Sequence, residues 1–418
     1  MIRIFPSVFS GTLSAPPSEI HAQRLLFAAA LSNSPTTLQN MPACEDIRTT
    51  IRCLEVLGAS FEMKGKNELV VQPFIKTKPA LKVAFDFETC AATACYTLAT
   101  SAAYGIQADC TAGDSLKKRS IFPLASRMAV RGVTFSGFTF PLTMQGRLEG
   151  GEYEFEGQQS NLYVNSILLA APVLSGPSLI RITEPVLMSG QIGITVNVLE
   201  QFGIAVETAE DGYRIPGRQS YTSPGTIRVH NDWSLAALWL TAGALSQDKG
   251  GSVDCADLPA DSPQGYRNLT EMHSQLITDF KDITVDASDF PALAPLIAIV
   301  AACRAGALHL TGVPQLHHKE SDRLKAVSAI LREMGAEIRD TEDGLESAET
   351  QSFDYPEDYQ IDCQGDPNLT LSFALAASVL HKPFILDEKP VDKIWPGFWA
   401  QYRALGGKFE ILENAIDS

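Results

Sequence analysis

A two-domain α/β protein, each domain made of three βαβαββ units around buried helices, is what this sequence predicts, and three observations lead there. The chain is 418 residues long, more than one hydrophobic core usually organises, which sets two domains of about 200 residues as the prior. A helix–glycine–strand junction recurs along it at intervals of roughly 50 to 80 residues, too long for a solenoid repeat and suited to a βαβαββ unit. Between the junctions lie stretches so rich in small and apolar residues that they fit helices buried on most sides.

Taken in order, the junctions are 51–59 (IRCLEVLGA), 128–133 (MAVRGV), 198–204 (VLEQFGI), 330–336 (ILREMGA) and 402–408 (YRALGGK). Glycine suits each of them because a chain leaving a helix for a strand passes through a left-handed cap that other residues resist. A sixth copy, lacking the glycine, is expected over 269–285. Six units make two domains of three. The buried helices are expected at 91–103, 167–173, 234–245, 292–305 and 371–379, where Ala, Ser and Thr allow close approach. Short Val/Ile/Phe strands wrap around them. No Gly/Ser linker interrupts the chain.

Composition narrows the function. With 45% hydrophobic and 20% charged residues the chain reads as soluble and globular, not fibrous or disordered. Its first residues have no charged leader before an apolar core, and no apolar run reaches membrane-spanning length, so the expected location is the cytoplasm. Eight cysteines are scattered without CxxC spacing, which suggests reduced, mostly buried thiols and neither a metal site nor a disulfide framework. A formal net charge of −16 repels nucleic acid and anionic membrane alike. An anionic ligand must therefore be held by cations gathered locally.

Five segments, in order, carry a resemblance. They are Gly11-Thr12-Leu13-Ser14-Ala15-Pro16-Pro17-Ser18-Glu19-Ile20-His21-Ala22-Gln23-Arg24; Glu45-Asp46-Ile47-Arg48; 223–226 (SPGT) with 231–237 (NDWSLAA); His318-Lys319-Glu320-Ser321-Asp322-Arg323-Leu324; and Asp387 with 392–398 (DKIWPGF). Together they resemble the EPSP synthase family over nearly the whole chain. The resemblance implies the two-domain enolpyruvyl transferase fold, with one domain at 14–226 and the other formed by 1–13 and 227–418. It places an active-site cleft between them. It also implies a reaction of aromatic amino acid biosynthesis: the enolpyruvyl group of phosphoenolpyruvate moves to the 5-hydroxyl of shikimate 3-phosphate through a tetrahedral intermediate, with release of phosphate. Such enzymes work as monomers without metal or organic cofactor. Both substrates are anions carrying phosphate and carboxylate, so arginine forks, lysines and a nearby base are what the chemistry requires.

Part of that equipment is matched residue by residue. Arg24 corresponds to the arginine for the shikimate carboxylate, Ser160 to the first residue of a phosphate-binding S-S-Q, and Lys319 to a lysine near the same ligand. Glu320 matches the catalytic glutamate, Lys393 a C-terminal catalytic lysine, Arg323 a phosphoenolpyruvate arginine, and Arg119 another arginine on that ligand. A Lys-Glu-x-x-Arg run can equally be a solvated ion-pair face of a helix. Its place in the family's order favours function by about two to one.

The departures fall on residues the chemistry could least spare. Glu19 stands for a lysine, reversing the charge where two anions should meet. Cys90, Ala92 and Tyr96 replace an asparagine, a glycine and an arginine of one loop, Asn161 and Leu162 the second serine and glutamine of another, and Gln191 a ring-stacking tyrosine. Ala292 removes the aspartate proposed as base, and Pro367 and Asn368 replace a histidine and an arginine. Lys117, Lys118, His21, His317 and His318 are the candidates for replacement charge. Three readings follow: a transferase with a degraded site, a member repurposed for another anionic substrate, and a noncatalytic metabolite-binding protein of the same fold.

Overall fold

The computed structural model describes residues 1–74, 82–157, 161–184, 186–258, 262, 264, 269–277, 282–304, 306–318, 321–348 and 353–412. The chain divides into two compact units, Pro17–His230 with Asp261–Pro263, and Met1–Pro16 with Asn231–Ala260 and Gln264–Ser418.

One strand order recurs within the unit Pro17–His230. Lys82–Asp86 lies parallel to Gln107–Thr111, which pairs antiparallel with Leu142–Gly146, itself antiparallel to the edge strand Val133–Phe135. The strands Gly151–Glu156, Ser178–Thr183, Gly212–Ile215 and Glu207–Ala209 repeat that order and those senses. A third sheet, Thr226–Arg228, Thr36–Gln39, Glu68–Gln72 and Ser60–Met63, repeats it with its first strand arriving last in the chain. Parallel neighbours need a long crossover, and in the first two sheets the helices Ala91–Ala103 and Asn161–Ala170 supply it. Both are apolar around most of their circumference, so both sink into the middle of the unit among buried residues such as Leu98, Ala99, Ile167 and Leu168.

The other unit uses the same plan. Asp282–Asp286, Ala307–Thr311, Leu345–Ser347 and Ile338–Asp340 form one sheet. In another, Tyr359–Gln360, Phe384–Leu386, Ile2–Phe5 and Lys408–Ile411 are neighbours, so the first strand of the chain completes a sheet otherwise drawn from its last sixty residues or so. Ile2 and Ile4 face the core through the period-2 alternation of that strand. Trp239, fully buried on the helix Trp233–Ala244, centres the core, with ring centroids of Phe9, Phe398 and Tyr402 at 5.4, 5.5 and 6.1 Å.

The five glycines singled out in the sequence all leave their helices at positive φ: +103° at Gly58, +91° at Gly132, +75° at Gly203, +93° at Gly335 and +100° at Gly406. Gly406 is also crowded, since a Cβ there would lie 2.4 Å from the carbonyl oxygen of Val8. The sixth expected junction differs. The helix Leu269–Ile277 and the strand Asp282–Asp286 are both present, but the strand runs parallel to Ala307–Thr311 and opens the next sheet. No glycine follows Ile277 to allow the left-handed exit used elsewhere. Among the described residues the preceding sheet accordingly has two strands, Val253–Ala256 parallel to Gly11–Ser14. Among the described residues, too, no helix is long and apolar enough to cross a membrane.

All four tryptophans lie in the unit containing Met1–Pro16, so their fluorescence follows its unfolding. Gly406→Ala should lower that unit's stability by about 1–3 kcal/mol, the cost of a strained φ with a backbone clash. Gly250→Ala, at φ +80° with nothing within 4 Å of the added carbon, should cost about 1 kcal/mol. Urea midpoints of the two variants read by tryptophan fluorescence check the order.

Candidate active site

Pro16-Pro17-Ser18 launches the helix Glu19–Ala30, with the Ser18 hydroxyl accepting from the His21 amide at 3.4 Å. Arg24 sits in its second turn and is buried to 1% exposure. Its Nε donates to Thr195 Oγ1 at 2.6 Å, its Nη1 to the carbonyl of Ile20 at 2.8 Å and its Nη2 to the carbonyl of Gln191 at 3.3 Å. Thr195 in turn donates to Asn165 Oδ1 at 2.8 Å. The guanidinium also lies 5.5 Å from the ring centroid of Tyr96. Each of these partners is neutral, and among the described residues no carboxylate pairs with Arg24. Burial pulls the Arg24 pKa down. The Tyr96 hydroxyl and Asn165 Nδ2, both buried, have no hydrogen-bond partner among the described residues. Burial pushes the Tyr96 phenol up to about 12, so it stays protonated.

The residues that depart from the family's pattern are locally well housed. Glu19 occupies the first turn of its helix, where the macrodipole favours a carboxylate, and accepts from the Cys44 thiol at 3.6 Å. Burial and then that carboxylate push Cys44 up to about 12. Cys90 takes the N-cap position of Ala91–Ala103, where its sulfur accepts from the Thr93 amide at 3.5 Å and from Gln23 Nε2 at 3.2 Å. Burial raises its pKa strongly, so it too is a thiol and not a thiolate. Tyr96 packs edge-on against Phe27 at 5.5 Å. Asn161 donates to the Met188 carbonyl at 3.3 Å, and Leu162 is half-buried. Arg119 is exposed and follows the short helix Asp114–Lys117, and its side chain makes no hydrogen bond or ion pair among the described residues. Ser160 lies outside the described residues.

In the other unit Arg323 opens the helix Arg323–Glu333 and is buried. Its Nε and Nη2 meet Asp366 Oδ2 and Oδ1 at 2.9 and 3.0 Å, a two-pronged fork. Asp366 is fully buried and also accepts from Ser321 Oγ at 3.1 Å and from the amides of Asn368 and Leu369 at 2.9 and 3.1 Å, capping the helix Pro367–Leu375. Pro367, where the family has a histidine, takes the first helical position, which has no amide to lose. Ala292 lies in the 3₁₀ turn Pro291–Leu293 and brings no carboxylate. Lys393 ends the turn Lys389–Lys393, exposed and without an ion pair among the described residues. Lys319 and Glu320 lie outside the described residues, as does the side chain of His318.

Three of the candidates for replacement charge are accounted for locally. His21 is buried, and its Nδ1 accepts from the His230 amide at 3.0 Å, which leaves the proton on Nε2, an atom without a partner among the described residues. Burial, then His230 and Arg24, hold its pKa down to about 3, so it is neutral. His317 is engaged by Asp322 and the Thr341 carbonyl, and Lys117 by Asp114 at 3.0 Å. Among the described residues no group of three or more His, Cys, Asp or Glu side chains could hold a metal ion. Asp366 and Thr195 were missed by sequence reasoning. Asp-Pro is a helix-start signal that could have marked Asp366, whereas nothing local marks Thr195, 171 residues from Arg24.

The sequence model of the EPSP synthase (3-phosphoshikimate 1-carboxyvinyltransferase) family matches residues 6–402. The chain is 28% identical over 434 residues to the 3-phosphoshikimate 1-carboxyvinyltransferase of Clostridium kluyveri, covering 98% of each. It is 29% identical over 430 residues to the protein of that name from Clostridium acetobutylicum, covering 97% of each. Its fold is that of the EPSP synthase from Acinetobacter baumannii, with a TM-score of 0.79 at 21% identity over 99% of both chains.

Two outcomes follow from the buried groups. Asp366→Asn should leave the Arg323 charge buried against a neutral amide and destabilise its unit by about 3–5 kcal/mol, read as a fall in the tryptophan-detected urea midpoint. His21 has a folded pKa of about 3 against 6.5 ordinarily, so between those values the unfolded chain binds the extra proton. Its contribution is therefore complete above pH 6.5 and is lost as pH falls toward 3, at up to about 1.4 kcal/mol per pH unit. His21→Asn, which keeps an acceptor for the His230 amide, should remove that acid-side loss in circular-dichroism melts between pH 6.5 and 4.

Proposed function

Because the chain belongs to the EPSP synthase family, we propose that it transfers the enolpyruvyl group of phosphoenolpyruvate to an anionic acceptor, shikimate 3-phosphate or a relative of it, and does so slowly. Arg24 carries this reading. It keeps a guanidinium at the position matched to the acceptor's carboxylate, buried and met only by neutral groups among the described residues. A carboxylate is the partner such a fork is shaped for. In the reaction the acceptor oxygen bonds to C2 of phosphoenolpyruvate while C3 takes up a proton. The tetrahedral adduct then expels phosphate from C2 and loses a proton from C3, so the hydroxyl proton ultimately leaves with phosphate.

Within that scheme Ser160 and Lys319 are proposed for the acceptor, Arg323, Lys393 and Arg119 for phosphoenolpyruvate, and Glu320 and Lys393 for proton transfer. Asp366 supports the assignment of Arg323 by fixing its plane. The slow rate follows from the losses: Ala292 offers no base, and Glu19 sets a negative charge where an anion should bind. A single base or charge-stabilising donor is typically worth about 10²–10⁴ in rate. The reading takes the chain as a cytoplasmic monomer that uses no metal or organic cofactor. A second reading is favoured by the Glu19–Cys44 pair, which suits a ligand amine better than an anion.

The test is phosphate release from phosphoenolpyruvate and shikimate 3-phosphate, assayed beside the Clostridium kluyveri relative. The expected result is turnover at least about 100-fold slower than that protein's, raised by Ala292→Asp combined with Glu19→Lys. No phosphate release by either form of the chain would contradict the proposal and favour the amine reading.

A further inference from the structure

We propose that His317 is a positioning residue for Arg323, holding it in place through the imidazolium charge and releasing it as pH rises. His317 is the penultimate residue of the 3₁₀ turn Pro314–His318, ahead of the helix that Arg323 opens. Its Nδ1 lies 2.8 Å from Asp322 Oδ1 and its Nε2 lies 2.9 Å from the Thr341 carbonyl oxygen. Neither a carboxylate nor a carbonyl carries a proton to give. Both ring nitrogens must therefore donate, which only the imidazolium can do. A neutral ring would turn one lone pair toward an oxygen less than 3 Å away.

The surroundings favour the charged form. Burial opposes it, but the bonds to Thr341 and Asp322 and the charges of Asp322 and Asp340 outweigh burial and raise the His317 pKa above 6.5. Asp322 faces the ring from its own segment, and Asp340 from the end of the strand Ile338–Asp340, where Ser328 donates to it at 2.9 Å. The connection to Arg323 runs through Asp322. The oxygen that meets His317 also accepts from the Lys325 amide at 3.1 Å and so caps the helix. The next residue is Arg323, whose side chain forms the fork with Asp366. Loss of the His317 proton removes the charge beside Asp322 and one of the ring's two bonds, so the cap is held less firmly and Arg323 loses part of the support of its helix start. The sign is fixed by the raised pKa: the brace is complete well below pH 6.5 and is lost as pH rises through the folded value.

This inference rests on the proposed function only in taking Arg323 as a ligand-binding residue, and its test separates the two. In the isotope-labelled full chain, the His317 ring nitrogens and the Arg323 Nε–H are followed by NMR from pH 6 to 9. His317 should titrate above 6.5, and the Arg323 signal should shift with the same midpoint. In His317→Arg that shift should vanish, and in His317→Gln the high-pH position should already hold at pH 6. Sulfate, which does not titrate in this range, should bind more tightly below the midpoint than above it in the wild type and show no such step in His317→Arg. An Arg323 signal that stays put while His317 loses its proton, or a His317 midpoint at or below 6.5, would overturn the proposal even if the variants failed to fold. Absence of sulfate binding with the coupled shift intact would instead count against Arg323 as a ligand residue.

Discussion

A guanidinium taken out of water must find oxygen partners, since an unpaired buried ion costs several kcal/mol. Each unit of this protein is built around one such group, and the two are satisfied differently. Arg323 has an internal counter-ion: Asp366 meets it with both oxygens and spends its remaining lone pairs on a helix cap and a serine hydroxyl. Arg24 has a hydroxyl, two backbone carbonyls and the face of a tyrosine, all neutral. The first arrangement neutralises the charge within the unit and fixes the plane of the guanidinium. The second leaves a buried positive charge without a counter-ion among the described residues, and it is the feature on which the proposed ligand-binding role rests.

The replaced family residues follow a common logic. Glu19 at a helix start and Pro367 at a first helical position suit the local backbone, while Cys90 is held by the Thr93 amide and Gln23 and Tyr96 by Phe27. The thiols contribute no anions, because burial keeps Cys44 and Cys90 protonated. His21 contributes no cation, because its buried ring is neutral. His21, Cys44 and Cys90, which lie at helix starts, are thus all neutral.

Much of the fold was legible in the sequence because its signals are local. Gly58, Gly132, Gly203, Gly335 and Gly406 mark helix exits by a backbone conformation that glycine alone adopts easily. The apolar runs around Leu98, Leu168 and Trp239 mark helices with no solvent face. The site was less legible. The candidate arginines were named from the order of motifs, but their partners come from distant elements: Asp366 lies 43 residues from Arg323, and Thr195 lies 171 residues from Arg24. Hydrogen bonds of that kind leave no periodicity or spacing to read. The expected junction over 269–285 went astray for the opposite reason, because a helix followed by a strand was given weight without the glycine that makes the turn.

Calorimetric titration of shikimate 3-phosphate into the chain and into Arg24→Gln tests most directly whether the open charge is a ligand site. A binding heat in the wild type that disappears in Arg24→Gln, with the melting temperatures of both proteins alike, is the result predicted by a guanidinium awaiting a carboxylate. Equal affinity in the two proteins, or no binding to the wild type, would mean that Arg24 is a structural cation satisfied by its neutral partners.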